Sequence, residues 1–290
     1  MRILLTGATG FTGRYFLTLA PVRGHTVCPL HANLCDKNAL AREIEASNFD
    51  ALIHFAAISF VGHMDPSEFY SVNVIGATNL LDALVRCSIP IKRVVLASSA
   101  NVYGNCSISP IGESQAPAPV NHYAMSKLAM EYMARTYCDR LPIIIARPFN
   151  YTGPGQSSQF IIPKLVQHFA QRSLSVELGN VDVEREFNDV RMICDAYLAL
   201  LEAGMPGTIY NLCSGHPYTL KKVIDILGDL SGYHIEIRTN NLFIRPNEVY
   251  SLYGDPTELK AVCARAHIVL QEPSLRETLC WMLNKYCNGH

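Results

Sequence analysis

Short runs of apolar residues alternate with stretches of helical periodicity through the first half of the chain. The apolar runs predict five strands, at residues 3–5, 25–30, 50–55, 93–97 and 143–146. Between them we predict helices at 11–20 (ended by Pro21), after an N-cap at Asp36, from Asp65-Pro66 to before Pro90, and at 123–140. The predicted strands are continuously apolar, which is typical of strands covered on both faces. The repeated order of strand and helix predicts an α/β fold with a doubly wound parallel sheet.

The regular alternation ends after Arg147, and residues 148–182 are rich in Gly, Pro, Ser and Gln. Beyond this point the pattern predicts a strand at 208–213 and helices at 162–171, 189–203, 220–230 and 274–286. We expect residues 1–150 to form the sheet domain, with 183–213 returning to it. Residues 151–290 would mainly form a smaller C-terminal α/β part that packs on the strand ends, where ligands bind in such folds.

Composition narrows the class of protein. The chain of 290 residues has 24 Lys and Arg against 25 Asp and Glu, and this balance argues against nucleic-acid binding. Apolar residues make up 49% of the chain and charged residues 17%, which predicts a folded protein with a sizeable core. The sequence contains no apolar run long enough for a membrane span or a signal peptide. The ten cysteines form no CxxC pair, so we expect reduced thiols, a cytoplasmic protein and no metal site.

A glycine-rich turn joins the first predicted strand to the first predicted helix. Gly7 can form the tight turn, Gly10 lets the backbone approach a pyrophosphate, and Gly13 lets the helix pack closely on the strand. The helix start favours bound phosphate, so we expect a dinucleotide cofactor, NADP(H) or NAD(H). His31 stands where many NAD enzymes have an acid, which slightly favours NADP(H), with Arg14 as a candidate partner of the 2′-phosphate.

Tyr123 and Lys127 lie four residues apart on a predicted helix and hence on one face. An ammonium near a phenol is expected to lower the phenol pKa, so that Tyr123 can exchange a proton with a substrate oxygen while hydride moves at the carbon. Ser99 follows the fourth strand and can bond the same oxygen. Tyr218 and Lys222 have the same spacing, but no strand end with a hydroxyl precedes them, and we interpret that pair as incidental.

Six segments of the chain resemble the extended short-chain dehydrogenases/reductases, a group of nucleotide-sugar epimerases, dehydratases and reductases. They are TGATGFTG (6–13), HFAA (54–57), VNVIGATNLLDA (72–83), SSANVYG (98–104), YAMSK (123–127) and RPFNYTGPGQ (147–156). Within the group, four segments resemble the GDP-4-keto-6-deoxy-mannose reductases. They are FNYTGPGQ from the last of the six segments, VEREFNDVR (183–191), YNLCSG (210–215) and IRPNEV (244–249). The resemblance implies a Rossmann-like fold for residues 1–150 and a substrate-binding role for the smaller part.

The resemblance also implies roles for individual residues. Ser99, Tyr123 and Lys127 would be catalytic, and Asn73 would hold the architecture of the site. The implied cofactor contacts are Gly7, Gly10, Phe11, Thr12, Gly13, His31, Asn33, Leu34, Ala56, Ala57, Asn73, Lys127 and Arg147. The implied contacts to a nucleotide-diphosphate sugar are Ser99, Asn101, Tyr123, Asn150, Arg185, Arg245 and Glu248, and arginines suit a diphosphate.

The implied reaction is reduction of a GDP-linked 4-keto-6-deoxyhexose at carbon 4 with NAD(P)H. Family dehydratases carry an acid at the place of Asn101, and an amide cannot take up a proton, so Asn101 argues against dehydration. Met192 and His31 also replace acids of the family pattern. A 4-epimerase, a 4,6-dehydratase and a non-catalytic dinucleotide sensor are the alternatives. Family members commonly dimerise through helices 66–87 and 123–140, with which the apolar residues Leu81, Leu84, Met130 and Met133 are compatible.

Overall fold

Strands and helices alternate through the first half of the chain, as the apolar pattern predicts. The structure is a computed structural model that describes residues 1–87, 89–243 and 249–287. The strands and helices of the first half are β1 (Arg2–Thr6), α1 (Phe11–Val22), β2 (Thr26–Pro29), α2 (Lys37–Ala46), β3 (Ala51–His54), α3 (Pro66–Tyr70), a π-helical turn (Ser71–Gly76), α4 (Ala77–Arg86), β4 (Arg93–Ala97), a 3-10 turn (Ala100–Tyr103), α5 (His122–Arg135) and β5 (Ile143–Pro148).

Short strands and longer helices make up the second half. They are β6 (Tyr151–Thr152), α6 (Ile161–Ala170), β7 (Ser175–Leu178), β8 (Glu184–Arg185), β9 (Asn188–Asp189), α7 (Val190–Ala203), β10 (Ile209–Leu212), β11 (Tyr218–Thr219), α8 (Leu220–Ser231), β12 (Glu236–Thr239), a 3-10 turn (Asn241–Phe243), β13 (Ser251–Leu252), α9 (Thr257–Ala266) and α10 (Leu275–Cys287). None of the helices in the described ranges is long and apolar enough to cross a membrane.

Six parallel strands form the main sheet in the order β10-β5-β4-β3-β1-β2. The chain runs from β1 outward to β2 and then crosses to β3 on the other side of β1, so the strand order reverses between β1 and β3. In open sheets of this kind, ligands bind in the crevice at the carboxyl ends of the strands beside such a reversal. The predicted doubly wound, Rossmann-like α/β fold is confirmed, and β10 from the second half completes the sheet.

Successive residues of each central strand face two different apolar layers. In β1, Ile3 and Leu5 pack in a layer with α1, α7 and α9, whereas Leu4 packs in the opposite layer with α2, α4 and α5. A third apolar cluster joins α6, α8 and α10 to β7 in the smaller part of the molecule. Both faces of the sheet are therefore covered, which explains why the strands are continuously apolar.

The structure corrects the predicted ends of two helices. The first helix passes through Pro21 and ends at Val22, because a proline in the last turn removes one hydrogen bond only. The helix predicted to reach residue 140 ends at Arg135. Beyond it, the amides of residues 136–138 bond the carbonyl oxygens three residues earlier, so the chain tightens into 3-10-type turns.

Candidate active site

Ser99 and Tyr123 meet at the carboxyl edge of the sheet. Ser99 follows β4, and Tyr123 lies in the first turn of α5, where the Asn121 side chain caps the helix. The Ser99 hydroxyl hydrogen-bonds the Tyr123 phenol. One turn along α5, Lys127 is 3% exposed and donates from Nζ to the carbonyl oxygen of Ala97 at 2.7 Å. The structure thus brings together the three predicted catalytic side chains.

The proton on Tyr123 is set by burial rather than by the neighbouring ammonium. Burial raises the pKa of Tyr123, and the hydrogen bond from Ser99 lowers it by less. The expectation that Lys127 holds the Tyr123 pKa below its usual value is therefore wrong for this structure. Burial lowers the pKa of Lys127 to about 8, against a rise caused by the Glu131 carboxylate. At neutral pH the phenol is protonated, which suits a proton donor.

Glu131 is a residue of this site that the sequence analysis missed. Its carboxylate accepts two hydrogen bonds from Arg147, at 2.9 and 2.6 Å, and one from the Ser98 hydroxyl at 2.5 Å. The Arg147 guanidinium also lies 4.8 Å from the centre of the Tyr103 ring. Arg147, expected to contact the cofactor, has its side chain buried in this ion pair. The signal in the sequence was the position of Glu131, four residues after Lys127 and hence on the same helix face.

The glycine turn leaves no room for a side chain at Gly7 or at Gly13. Gly7 has φ +72°, and a Cβ atom there would lie 2.6 Å from the amide nitrogen of Ala56. A Cβ atom on Gly13 would lie 2.2 Å from the Gly7 carbonyl oxygen. Gly10 precedes α1 and provides no side-chain cap. The backbone amides of the first helical turn therefore have no hydrogen-bond partner from the cap residue. This arrangement is a ready site for a pyrophosphate.

Two residues of the first turn of α1, Phe11 and Thr12, contact Tyr151 of β6. Thr12 Oγ1 lies 2.6 Å from the Tyr151 hydroxyl, and the Phe11 ring stacks on the Tyr151 ring at 6.1 Å between centroids. The Ala56 amide donates to the Thr6 hydroxyl, and Ala57 is half-buried beside it. These contacts join the glycine turn to the loop after β3 and to β6.

The loop after β2 carries three of the predicted cofactor contacts, His31, Asn33 and Leu34. The backbone amide of His31 donates to Glu43 Oε1 at 2.8 Å. His31 and Asn33 are exposed, whereas Leu34 is 7% exposed and packs with α2 and α4. Arg14, the candidate partner of a 2′-phosphate, donates to two main-chain carbonyl oxygens, in the glycine turn and in the loop after β6, each at 2.9 Å.

Asn73 lies in the π-helical turn between α3 and α4 and is fully buried. Its Oδ1 accepts from the Ile58 amide at 2.9 Å, and its Nδ2 donates to the Ile58 carbonyl oxygen at 3.1 Å and to Ser126 Oγ at 3.0 Å. Its side chain therefore ties the loop after β3 to α5, next to Tyr123 and Lys127. This placement supports the implied architectural role of Asn73 more directly than a contact to the cofactor.

Two predicted substrate contacts stand near the catalytic residues. Asn101 is half-buried, and both its backbone amide and its Nδ2 donate to Ser99 Oγ, at 3.2 and 3.1 Å. Asn150 lies between β5 and β6, and its carbonyl oxygen accepts from the Asn188 amide at 2.9 Å. Both residues lie at the carboxyl edge of the sheet, on the side toward the smaller part of the molecule.

Arg185, the next predicted substrate contact, lies in β8. Arg185 donates from Nη1 to the Tyr250 carbonyl oxygen at 3.2 Å and from Nη2 to the Val249 carbonyl oxygen. Its guanidinium thereby binds the backbone just before β13. Arg245 and Glu248 lie outside the described residues.

Comparison with known proteins decides the family. A family model described as the NAD dependent epimerase/dehydratase family matches residues 3–213. The chain belongs to this family. It is similar to GDP-6-deoxy-D-talose 4-dehydrogenase from Aggregatibacter actinomycetemcomitans, with 34% identity over 89% of this chain and 90% of the relative. It is also similar to GDP-6-deoxy-D-mannose reductase from Pseudomonas aeruginosa, with 31% identity over 96% of each chain.

A solved structure gives the same fold with a cofactor in place. The structure of RMD from Pseudomonas aeruginosa complexed with NADPH superposes with a TM-score of 0.91 and 28% identity, covering 100% of this chain and 99% of that chain. The protein is thus an NAD(P)-dependent oxidoreductase of the extended short-chain dehydrogenase/reductase group, as its sequence motifs predict.

Proposed function

We propose that this protein reduces GDP-4-keto-6-deoxy-D-mannose at carbon 4 with NAD(P)H, giving a GDP-6-deoxyhexose of the GDP-D-rhamnose type. The observation that carries the proposal is the buried Ser99–Tyr123 pair, whose phenol keeps its proton and whose neighbour at position 101 is an amide. The two relatives support the substrate class, because both are named for GDP-linked 6-deoxyhexoses.

The catalytic side chains have distinct roles in this proposal. Bound NAD(P)H supplies the hydride for the ketone carbon. Tyr123 gives its proton to the ketone oxygen, and Ser99 donates a hydrogen bond to the same oxygen and so polarises the carbonyl. Lys127, as a cation, stabilises the phenolate that remains on Tyr123, which then regains a proton from water. The substrate alcohol leaves with one hydride and one proton added.

The remaining site residues would hold the two ligands. The turn at Gly7, Gly10 and Gly13 fits a pyrophosphate, because Gly10 brings no side chain to the amino end of α1. We assign the cofactor to residues 1–150 with 183–213, and the nucleotide sugar mainly to 151–290. The diphosphate of the sugar nucleotide would lie toward Asn150 and Arg185, with Arg245 and Glu248 as further contacts.

The alternatives differ in what they consume. A reductase oxidises one NAD(P)H for each ketosugar, whereas an epimerase retains its NAD and shows no net oxidation. A dehydratase releases water and needs an acid–base group where this chain has Asn101, and a sensor binds the dinucleotide without turnover. The experiment is to incubate the protein with GDP-4-keto-6-deoxy-D-mannose and either NADH or NADPH. We expect steady loss of reduced cofactor, and NMR of the product identifies the configuration at carbon 4; no oxidation with either cofactor would contradict the proposal.

Replacement of the proton donor tests the same assignment. Tyr123→Phe should lower kcat by about 10²- to 10⁴-fold, the range expected for loss of a general acid, with the cofactor Kd unchanged. The measurement is ketosugar reduction under saturating cofactor together with a cofactor titration. Tyr286→Phe, a half-buried tyrosine on α10, is the matched control. Equal turnover in Tyr123→Phe and wild type would refute the role of Tyr123.

We also propose that the protein is a homodimer. Three of the four apolar residues compatible with this interface lie inside the protomer, since Leu81 and Met130 are fully buried and Leu84 is 2% exposed, whereas Met133 is half-buried. The neighbouring surface carries other apolar side chains, and Ile75 and Tyr132 are 53% and 55% exposed. We expect a dimer by sedimentation and a monomer for the variant Ile75→Asp; a wild-type monomer would contradict the proposal.

A cytoplasmic location is part of the same proposal. All ten cysteines are free, and three of them, at positions 194, 213 and 263, are buried. Proteins of oxidising compartments with so many cysteines usually pair them. Cell fractionation should recover the protein with cytoplasmic enzymes, and recovery from an oxidising compartment would contradict this.

A further inference from the structure

The Ser99 hydroxyl has its acceptor capacity taken up by one residue. A hydroxyl oxygen carries two lone pairs and one proton. The Asn101 backbone amide and the Asn101 Nδ2 are both N–H donors, and they lie 3.2 and 3.1 Å from Ser99 Oγ. Ser99 Oγ therefore accepts two hydrogen bonds from Asn101, and its own proton must point in a third direction.

The Tyr123 phenol hydrogen-bonds the Ser99 hydroxyl, and because both lone pairs of Ser99 Oγ are taken by Asn101, the phenol oxygen is the acceptor of this bond. The hydrogen bond between Ser99 and Tyr123 lowers the pKa of Tyr123. A bond has this effect when it is donated to the phenol oxygen, because it then stabilises the phenolate. Both side chains are nearly buried, at 5% and 8% exposure, so water competes little for this geometry.

We propose that Asn101 is a positioning residue that fixes the Ser99 hydroxyl as a hydrogen-bond donor, toward Tyr123 in the free protein and toward the substrate ketone oxygen in the complex. The second half of this statement rests on the proposed function. A ketone oxygen can only accept, so a serine whose lone pairs are already occupied is already in the donor role that ketone reduction needs.

The side chain at position 101 thus decides the direction of the hydrogen bond. A carboxylate there has no proton to give and would accept from Ser99, turning the Ser99 proton away from Tyr123. It would also place a negative charge beside the oxygen on which charge develops. Asn101→Asp keeps the shape and reverses the hydrogen bond, and Asn101→Leu keeps the approximate size and removes the side-chain donor.

Kinetics test the proposal on the intact protein. We expect kcat for ketosugar reduction to fall roughly 10- to 100-fold in Asn101→Leu and in Asn101→Asp at about pH 8, with KM and the cofactor Kd within about twofold. Asn101→Asp should regain activity relative to wild type as the pH falls toward about 4, the ordinary pKa of an aspartate side chain, because a protonated carboxyl group donates again. Asn101→Leu should show no such recovery. The control Asn48→Asp adds the same charge at an exposed position before β3.

A double-mutant comparison separates positioning from a merely structural role. Asn101→Leu should have no further effect on kcat in the Ser99→Ala background, because the hydroxyl that it positions is gone. The proposal is overturned if both Asn101 variants keep wild-type kcat, if their losses have the same pH dependence, or if the losses of Ser99→Ala and Asn101→Leu multiply.

A measurement without substrate distinguishes this proposal from the proposed function. In protein labelled with carbon-13 at tyrosine Cζ, the Tyr123 signal is assigned with Tyr123→Phe. Ser99→Ala and both Asn101 variants should shift this signal in the same direction, and Asn48→Asp should leave it in place. A signal unmoved by the Asn101 variants overturns the positioning role even where the ketosugar is reduced. Shifted signals in a protein that reduces no ketosugar would refute the proposed function alone.

Discussion

At the scale of single residues, burial controls the protons of the candidate site. Tyr123 and Lys127 both lie in a region from which solvent is nearly excluded. Burial disfavours the charged form of each group, so it raises the pKa of Tyr123 and lowers that of Lys127. Glu131 opposes the second effect because its carboxylate stabilises the ammonium. The protonation states of Tyr123 and Lys127 are thus governed first by burial and then by one polar neighbour each.

The pH profile should report this balance. Lys127 has a pKa of about 8, so it loses its charge in the folded protein as the pH rises through that value. We expect kcat/KM for reduction to fall above about pH 8, because a neutral amine no longer stabilises the phenolate of Tyr123. Glu131→Gln removes the charge that raises this pKa and should move the fall to lower pH.

Rates measured across the pH range with wild type, Glu131→Gln and Glu45→Gln check this expectation. Glu45 is an exposed glutamate of α2 and serves as the matched control. If kcat/KM falls at the same pH in all three proteins, Glu131 does not act on Lys127.

At the scale of elements, the start of α1 depends on close backbone contact. The helix approaches β1 so closely that a Cβ atom on Gly13 would meet the Gly7 carbonyl oxygen at 2.2 Å and the Ala8 Cα atom at 2.8 Å. Both atoms belong to the backbone and cannot turn aside. The glycine pattern of the sequence therefore indicates a steric requirement as well as a phosphate site.

Gly13→Ala should displace the glycine turn from α1. We expect cofactor affinity to fall by about tenfold or more and the midpoint of thermal unfolding to fall, because the new methyl group forces the turn and helix apart. Gly112→Ala is the control, since a Cβ atom there meets nothing within 4 Å. Cofactor titration and thermal unfolding of both variants measure the effects. Equal cofactor affinity in Gly13→Ala and Gly112→Ala would contradict the steric argument.

At the scale of the whole molecule, one buried ion pair joins helix to sheet. Arg147 on β5 and Glu131 on α5 are each 1% exposed, and their bidentate contact lies directly below the catalytic edge. The pair links two elements that only the fold brings together. Replacement of one partner leaves the other as an unpaired buried charge, which is costly.

The two single variants Arg147→Met and Glu131→Leu should each lower the free energy of unfolding by about 3–5 kcal/mol. The double variant should lose less than either single variant, because it buries no unpaired charge. Denaturant unfolding of the three proteins measures these values. Arg140→Met, which disrupts an exposed pair with Asp139, should change the free energy of unfolding by less than about 1 kcal/mol. Additive losses in the double variant would contradict the coupling.

The sequence by itself determined the architecture, and it predicted candidate site residues, of which Ser99, Tyr123 and Lys127 lie close together in the structure. Continuous apolar strands, helical periodicity and the glycine turn are local patterns, and local patterns fix strand and helix order, hence the parallel sheet. The spacing of Tyr123 and Lys127 on a helix is local as well. Helix ends were less certain, because the shift to 3-10-type turns after Arg135 depends on competing hydrogen bonds of similar free energy.

Only the tertiary structure decided the direction of each pKa shift and the partners of each polar group. Burial of Tyr123, the Glu131–Arg147 pair and the two bonds from Asn101 to Ser99 all depend on surroundings that residues distant in the chain create. Desolvation depends on all the atoms that surround a group in the folded protein, so the spacing of residues along the chain does not predict it. A pattern in sequence can therefore place a proton donor on a helix, while the fold sets whether that donor keeps its proton.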